Sequence, residues 1–201
     1  ERVATLNRGE SPIVEEGLAT LLGNARQVGR LEAMCDPWPA VMDSDITLVC
    51  VGTPTGPDGE CDLKYLRIAA EQIGSALAVK EDYHVVVFRS TVPPKTTCDI
   101  LIPILEKVSG KISGRDFGVC FNPEFLRESS AIKDFYEPPK TVIGAVDQRS
   151  SAAVAELYTG LSGELIETTI EAAEFVKYID NTWHGLKVSF GNEVGRLCKA
   201  M

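Results

Sequence analysis

The sequence runs to 201 residues, of which 44% are hydrophobic, 24% charged and 7% aromatic. That composition can build a core and excludes a disordered chain, and the length suits one to one and a half domains. Twenty Lys and Arg against 29 Asp and Glu leave a net charge of -9, which disfavours a nucleic-acid backbone or an anionic membrane as the main partner, although a local basic pocket stays compatible with it.

The opening ERVATLNRG reads as the tail of a helix stopped by Gly9. Ser11-Pro12 is expected to cap a second helix carrying Leu18, Leu21 and Leu22. Asp45–Val51 is a nearly continuous apolar run ending at Gly52-Thr53-Pro54, the pattern of a parallel strand buried on both faces. Gly56-Pro57-Asp58-Gly59 is a loop, and Leu63 to about Val79 a helix. The alternation continues with a strand at His84–Phe88, a loop at Arg89–Pro94, and a helix from Thr96 to Val108 that Pro103 should kink or interrupt. Asp116–Phe121 is a third strand and Thr141–Gly144 a shorter fourth. Strands alternating with helices define an α/β fold with a mostly parallel sheet.

From about Thr168 the sequence reads as one helix of about 30 residues, or roughly 45 Å at 1.5 Å per residue. Phe175, Ile179, Trp183, Leu186, Phe190, Val194 and Leu197 form one apolar stripe along it. Gly185, Gly191 and Gly195 cost helix stability, which suits a second backbone packed close by. A helix this long joins domains or builds a subunit interface. The expected division is therefore residues 1–150 for the α/β unit and 151–201 for the helical one, with the boundary near 147–152.

No apolar run approaches the roughly 18 residues of a membrane span, and the first residues read as neither signal nor transit peptide. The chain does not begin with Met, and both ends read as the interior of something longer. Six cysteines without CxxC spacing and only two histidines leave a zinc site unsupported. Cys50 and Cys120 lie in strand-like runs and are expected to be buried. All six read as reduced thiols of a cytosolic protein.

Three strand ends carry polar loops: Gly52-Thr53-Pro54, Ser90-Thr91 and Asn122-Pro123-Glu124. In a parallel α/β sheet ligands collect at the carboxyl ends of strands, so three such loops mark a site. Turn and cap chemistry accounts equally well for Gly52 and Pro54. In NPEFLRE, Asn122 is expected to cap a helix with Pro123 at its first position. Glu124 and Glu128 would then share a face at i, i+4, where like charges repel unless they serve a ligand. A solvated face remains the alternative. Lys177, Asn181 and His184 fall at i, i+4 and i+7 on the long helix, with Asn192 about 60° further round. That stripe places an ammonium where an oxyanion could be held, or else it is a solvated face with snorkelling Lys.

Taken together, the segments GESPIVEEGL (Gly9–Leu18), SDITLVCVGTP (Ser44–Pro54), RSTVPPKTT (Arg89–Thr97), FNPEFLRESSAIKDF (Phe121–Phe135) and EFVKYIDNTWHGLKVSFGNEVG (Glu174–Gly195) resemble the UDP-glucose/GDP-mannose dehydrogenase family. The resemblance covers essentially the whole chain in order. Asn181-Thr182-Trp183-His184 and the following Lys187-Val188 look more like the GDP-mannose branch, with the UDP-glucose branch as the alternative. It implies a Rossmann-like domain and NAD-dependent oxidation of a nucleotide sugar at C6, from alcohol to carboxylate with two NAD. The pathway suggested is polysaccharide precursor supply, alginate-like for a mannuronate product.

By the same resemblance, Thr53, Thr91 and Glu128 would bind NAD. Glu128, Lys177, Asn181, His184 and Asn192 would contact the sugar nucleotide. Lys177 and Asn181 would stabilise oxyanions at C6, with Glu124 assisting proton transfer. A homodimer through the long helix is implied, and neither nucleic acid nor membrane is a partner.

Lys95 stands where the family's loop has glycine, which puts that loop's shape in question. The family's GxGxxG segment and its nucleophilic cysteine have no counterpart here. They are expected before Glu1 and after Met201, so this stretch alone is expected not to turn over. A non-catalytic dimerisation piece is the reading from another class.

Overall fold

The computed structural model describes residues 1–201. In chain order it has α1 (Arg2–Asn7), α2 (Leu18–Gln27), α3 (Pro37–Met42), β1 (Ile46–Val49), α4 (Lys64–Val79), β2 (Val85–Phe88), a π-helical turn (Thr97–Leu101) running into α5 (Ile102–Ser109), β3 (Gly118–Phe121), α6 (Ala131–Tyr136), β4 (Lys140–Ala145), α7 (Gln148–Glu156), β5 (Glu164–Thr168) and α8 (Ile170–Ala200). The five strands form one sheet in the order β1-β2-β3-β4-β5. Every pairing is parallel except β3 with β4. The mostly parallel α/β fold legible in the sequence is therefore the observed one.

Side chains alternate across a strand, and that alternation divides the core in two. Val86, Phe88, Val119 and Phe121 pack with Leu66, Ala70, Ile73 and Leu77 of α4 and with Leu101 and Leu105. On the opposite face Val85, Val87, Cys120 and Ile143 pack with Val154 of α7. The boundary expected near 147–152 falls at the start of α7, which covers this same sheet. Sheet pairing continues to Thr168 through β5, an element the sequence reading lacked.

Several local expectations need correcting. Ser11 caps no helix: its hydroxyl closes a turn on Ile13, and α2 begins only after Gly17, whose φ of 81° is left-handed. The Asp45–Val51 run is not buried on both faces. β1 pairs only with β2, leaving Leu48 exposed, and Cys50 is exposed too, whereas Cys120 is buried. Pro103, by contrast, marks the expected interruption, since the π-helical turn Thr97–Leu101 gives way to α5 at Ile102. It occupies the first turn of α5 just after the π-helical turn, where its missing N–H and its ring are accommodated.

α8 is a single helix of 31 residues, or about 46 Å. Thr169 caps it, the hydroxyl accepting from the Ala172 N–H. Its buried residues, Ile170, Ala173, Glu174 and Lys177, all lie in the first turns against the sheet. From Tyr178 onward every residue is exposed, and so is the whole apolar stripe from Phe175 to Leu197. No helix is long and apolar enough to cross a membrane.

Candidate functional site

The carboxyl ends of β1, β2 and β3 lie side by side, because the three strands are parallel and in register. Their loops are stitched together. The Thr53 hydroxyl donates to the Thr91 carbonyl at 2.9 Å, and the Ser90 hydroxyl donates to the Val51 carbonyl at 2.6 Å. Thr53 and Thr91 thus form one rim. Gly52 beside them has open space where a side chain would stand, so backbone here can be approached closely by a flat or phosphate-bearing ligand. These residues fit one side of a dinucleotide: hydroxyls, open backbone and strand ends facing the same way.

The third strand end is built differently from the expectation. NPEFLRE is not helical. Asn122, 1% exposed, is consumed by the fold. Its amide donates to the Val142 carbonyl at 2.8 Å, while its oxygen accepts from Arg89 and Tyr158. It is therefore unavailable as a cap. Glu124 bends back to accept from the Leu126 N–H at 2.7 Å. Without a helix Glu124 and Glu128 share no face. Glu128 is exposed, and the paired-carboxylate expectation is corrected to a single carboxylate at the strand end.

That carboxylate meets Lys177. The Lys177 ammonium donates to the Glu124 carbonyl at 2.5 Å and to its carboxylate Oε1 at 3.0 Å. The Lys177 side chain is only 8% exposed and that of Glu124 35%, so a desolvated cation reaches a half-open carboxylate at the strand ends. Two ammonium groups lie over the Phe125 ring, Lys140 Nζ at 4.5 Å and Lys177 Nζ at 5.4 Å from its centroid. Lys140 also pairs with Asp180 of α8 at 2.9 Å. Beneath this group a cavity of about 30 Å³ is lined by Arg89, Asn122, Glu124, Phe125, Lys140 and Tyr158 among others. It has room for about two waters, too small to enclose an organic ligand.

Asn181, His184 and Asn192 continue on α8 beyond Lys177 and are exposed. Helical spacing keeps them within about 60° of the Lys177 direction. They have no protein partner in the site, nor does Glu128. Among the thiols, burial pushes Cys98 and Cys120 up to about 12 and raises Cys50, which removes nucleophilic character rather than conferring it. No group of three or more His, Cys, Asp or Glu side chains is placed to hold a metal.

Two contributors escaped the sequence reading. One is the Arg89–Asn122–Tyr158 network, which draws on three separate segments. The other is Glu174, which is 0% exposed. Its signal was a lone acid among Ala172, Ala173, Phe175 and Val176, at i−3 from Lys177.

Ligand loops over the carboxyl ends of parallel strands, with helices on both faces, define a dinucleotide-binding α/β domain. Residues 1–162 match the family model for the NAD binding domain of the UDP-glucose/GDP-mannose dehydrogenase family. The chain belongs to that family, and NAD is its cofactor. It is 48% identical over its whole length to GDP-mannose 6-dehydrogenase of Pseudomonas aeruginosa, covering 46% of that protein. It is 40% identical over 98% of its length to UDP-glucose 6-dehydrogenase of Haloferax volcanii, again covering 46%. A crystal structure of a ternary complex of the Pseudomonas aeruginosa GDP-mannose dehydrogenase superposes with a TM-score of 0.97 over 99% of this chain and 46% of that one, at 48% identity. The UDP-glucose dehydrogenase of Pyrobaculum islandicum gives 0.92 over 98% and 45%, at 40% identity. The chain thus spans about half the length of the relatives it matches.

Proposed function

We propose that the full-length protein containing this chain oxidises C6 of a nucleotide sugar from alcohol to carboxylate, with GDP-mannose as substrate. The observation that carries this reading is the buried Lys177 ammonium held at the strand ends by Glu124. The relatives' names support the nucleotide-sugar class, and 48% identity to a GDP-mannose 6-dehydrogenase supports the sugar. The reaction consumes the alcohol, one water and two NAD, and yields the carboxylate, two NADH and protons.

NAD, when bound, supplies the hydride acceptor. The chain's own residues do the rest. Thr53 and Thr91 line the cofactor's edge over the strand ends. Lys177 opposes negative charge on the C6 oxygen, where a desolvated ammonium is worth far more than in water, and Asn181 adds a neutral donor one turn on. Glu124, held near Lys177 yet partly open, relays protons and orients water. Glu128, His184 and Asn192, free of protein partners, reach for the ligands, Glu128 from the loop and the other two from α8. Two chains associate through the exposed stripe of α8 in the cytoplasm. None of the six cysteines serves as nucleophile.

A UDP-sugar is the second reading, favoured by the 40% identity to a UDP-glucose 6-dehydrogenase. Purified full-length protein with NAD and each sugar nucleotide decides between them. Two NADH per acid formed from GDP-mannose is the expected result. Preference for UDP-glucose installs the second reading, and no NADH from either overturns both.

A further inference from the structure

Two residues other than glycine hold a left-handed backbone: Lys95 at φ 74° and Ser129 at φ 70°. Such a conformation is costly for a residue with a Cβ and persists only where its surroundings over-determine it. Both surroundings use the same device. At Lys95 a carboxylate from far along the chain takes two backbone N–H groups: Lys95 N–H donates to Glu174 Oε2 at 2.6 Å and Thr97 N–H to Oε1 at 2.8 Å. At Ser129 the pattern repeats. Ser129 N–H donates to Glu15 Oε2 at 3.1 Å and Ala131 N–H to Oε1 at 3.0 Å.

Both left-handed residues sit in loops leaving strand ends at the candidate site. Lys95 follows Thr91 by four residues, and Ser129 adjoins Glu128. Glu174 is fully buried and cannot touch a ligand, but it stands three residues before Lys177 on α8. Helical rigidity transmits its anchorage directly to the Lys177 ammonium, which grips the β3 loop. The first turns of α8 therefore hold the β2 loop through Glu174 and the β3 loop through Lys177.

We propose that Glu174 is a positioning residue: a carboxylate clamp that keeps the Thr91–Thr97 loop in its left-handed form and registers it against Lys177. Glu15 does the same for the loop carrying Glu128. The clamp sets where cofactor and substrate groups meet, and its kinetic consequences rest on the dehydrogenase reading above.

The test uses the full-length protein with Glu174→Gln, Lys95→Gly and the combination. Glutamine keeps the shape but can accept only one of the two N–H groups and sets an NH₂ against the other. Glycine removes the conformational cost that the clamp offsets. Glu174→Gln is expected to raise KM for NAD roughly tenfold, as for one lost charged hydrogen bond, and to speed amide exchange across residues 91–97. Adding Lys95→Gly should recover most of the KM and of the exchange protection. A uniform rise in exchange with a lower Tm and no recovery by Lys95→Gly would make Glu174 a packing residue and overturn the proposal. So would unchanged KM and exchange in Glu174→Gln.

If Glu174→Gln does not fold, Glu15→Gln, in a mostly exposed loop, carries the test. Exchange at Ser129 and Ala131 rises if the clamp device is real and stays put if it is not. Failure of the unsubstituted protein to reduce NAD refutes the functional reading, while exchange and glycine rescue still decide the clamp.

Discussion

α8 can carry Lys177 to the strand ends only because β4 has no side chain at Gly144. A Cβ there would stand 2.5 Å from the Thr169 carbonyl oxygen, 2.7 Å from Ile170 Cα and 2.9 Å from Ala173 Cβ. Two of these three are backbone atoms, so no rotamer change relieves the contact. The first turn of α8 must retreat by roughly 1 Å to restore ordinary separations. Overpacking of this kind costs about 1–3 kcal/mol, which in a protein longer than this chain corresponds to a Tm drop of at most about 2–4 °C per kcal/mol. The function should suffer more than the stability. Lys177 is one to two turns from the displaced residues on a rigid helix, and a misplacement of about 1 Å can cost on the order of 100-fold in rate. Gly144→Ala in the full-length protein is therefore expected to fold, melt several degrees lower and lose most of its kcat. The assay pairs thermal unfolding with NADH production. An unchanged Tm with full kcat would refute the close approach of α8 to β4 and the dependence of the site upon it.

Lys177→Met keeps the buried stem and removes the ammonium. It is expected to lower kcat by about 100- to 1,000-fold while shifting Tm by only a few degrees, and equal losses in both would show a structural role instead. His84, fully buried between the Thr47 hydroxyl and the Ser44 carbonyl at 2.8 and 2.9 Å, has its pKa lowered first by burial. The unfolded chain takes that proton more readily, so the stabilisation is complete above the ordinary His value of about 6.5 and lost as pH falls through the lower folded value. Thermal unfolding from pH 7.5 to 5 should show Tm falling with acid, with a shallower slope in His84→Asn. Trp183→Glu with Phe190→Glu places charge in the exposed stripe of α8 and should halve the mass seen by light scattering. Unchanged mass counts against a dimer built on that stripe.

The sheet was legible because Val85–Phe88 and Phe117–Phe121 are unbroken apolar runs of the kind a doubly covered strand carries. α8 was legible from its stripe. β5 was not, because Glu164-Leu165-Ile166-Glu167-Thr168 is a short, mostly exposed strand with two acids and reads as a loop. α3, PWPAVM, is too short and too rich in proline for a periodic signal.

At the site, helical capping rules misread NPEFLRE because tertiary partners outbid the local ones. Val142, Arg89 and Tyr158 take Asn122, and Lys177 takes the Glu124 carbonyl. Lys95 in place of glycine looked like a disturbance of the loop. Its backbone nonetheless adopts the left-handed geometry that glycine would supply freely, held there by Glu174. No local pattern announces such a clamp, since its two halves are separated by 79 residues.

The central claim is that Lys177, with Asn181 beside it, faces the C6 oxygen of a nucleotide sugar laid across the strand ends. A crystal structure of the full-length protein with NAD and GDP-mannose tests it most directly. The account predicts the Lys177 ammonium within about 3 Å of the C6 oxygen, with the nicotinamide over the Thr53–Thr91 rim. A sugar bound with C6 away from Lys177, or a Lys177–Glu124 pair left sealed beneath the ligand, would contradict it.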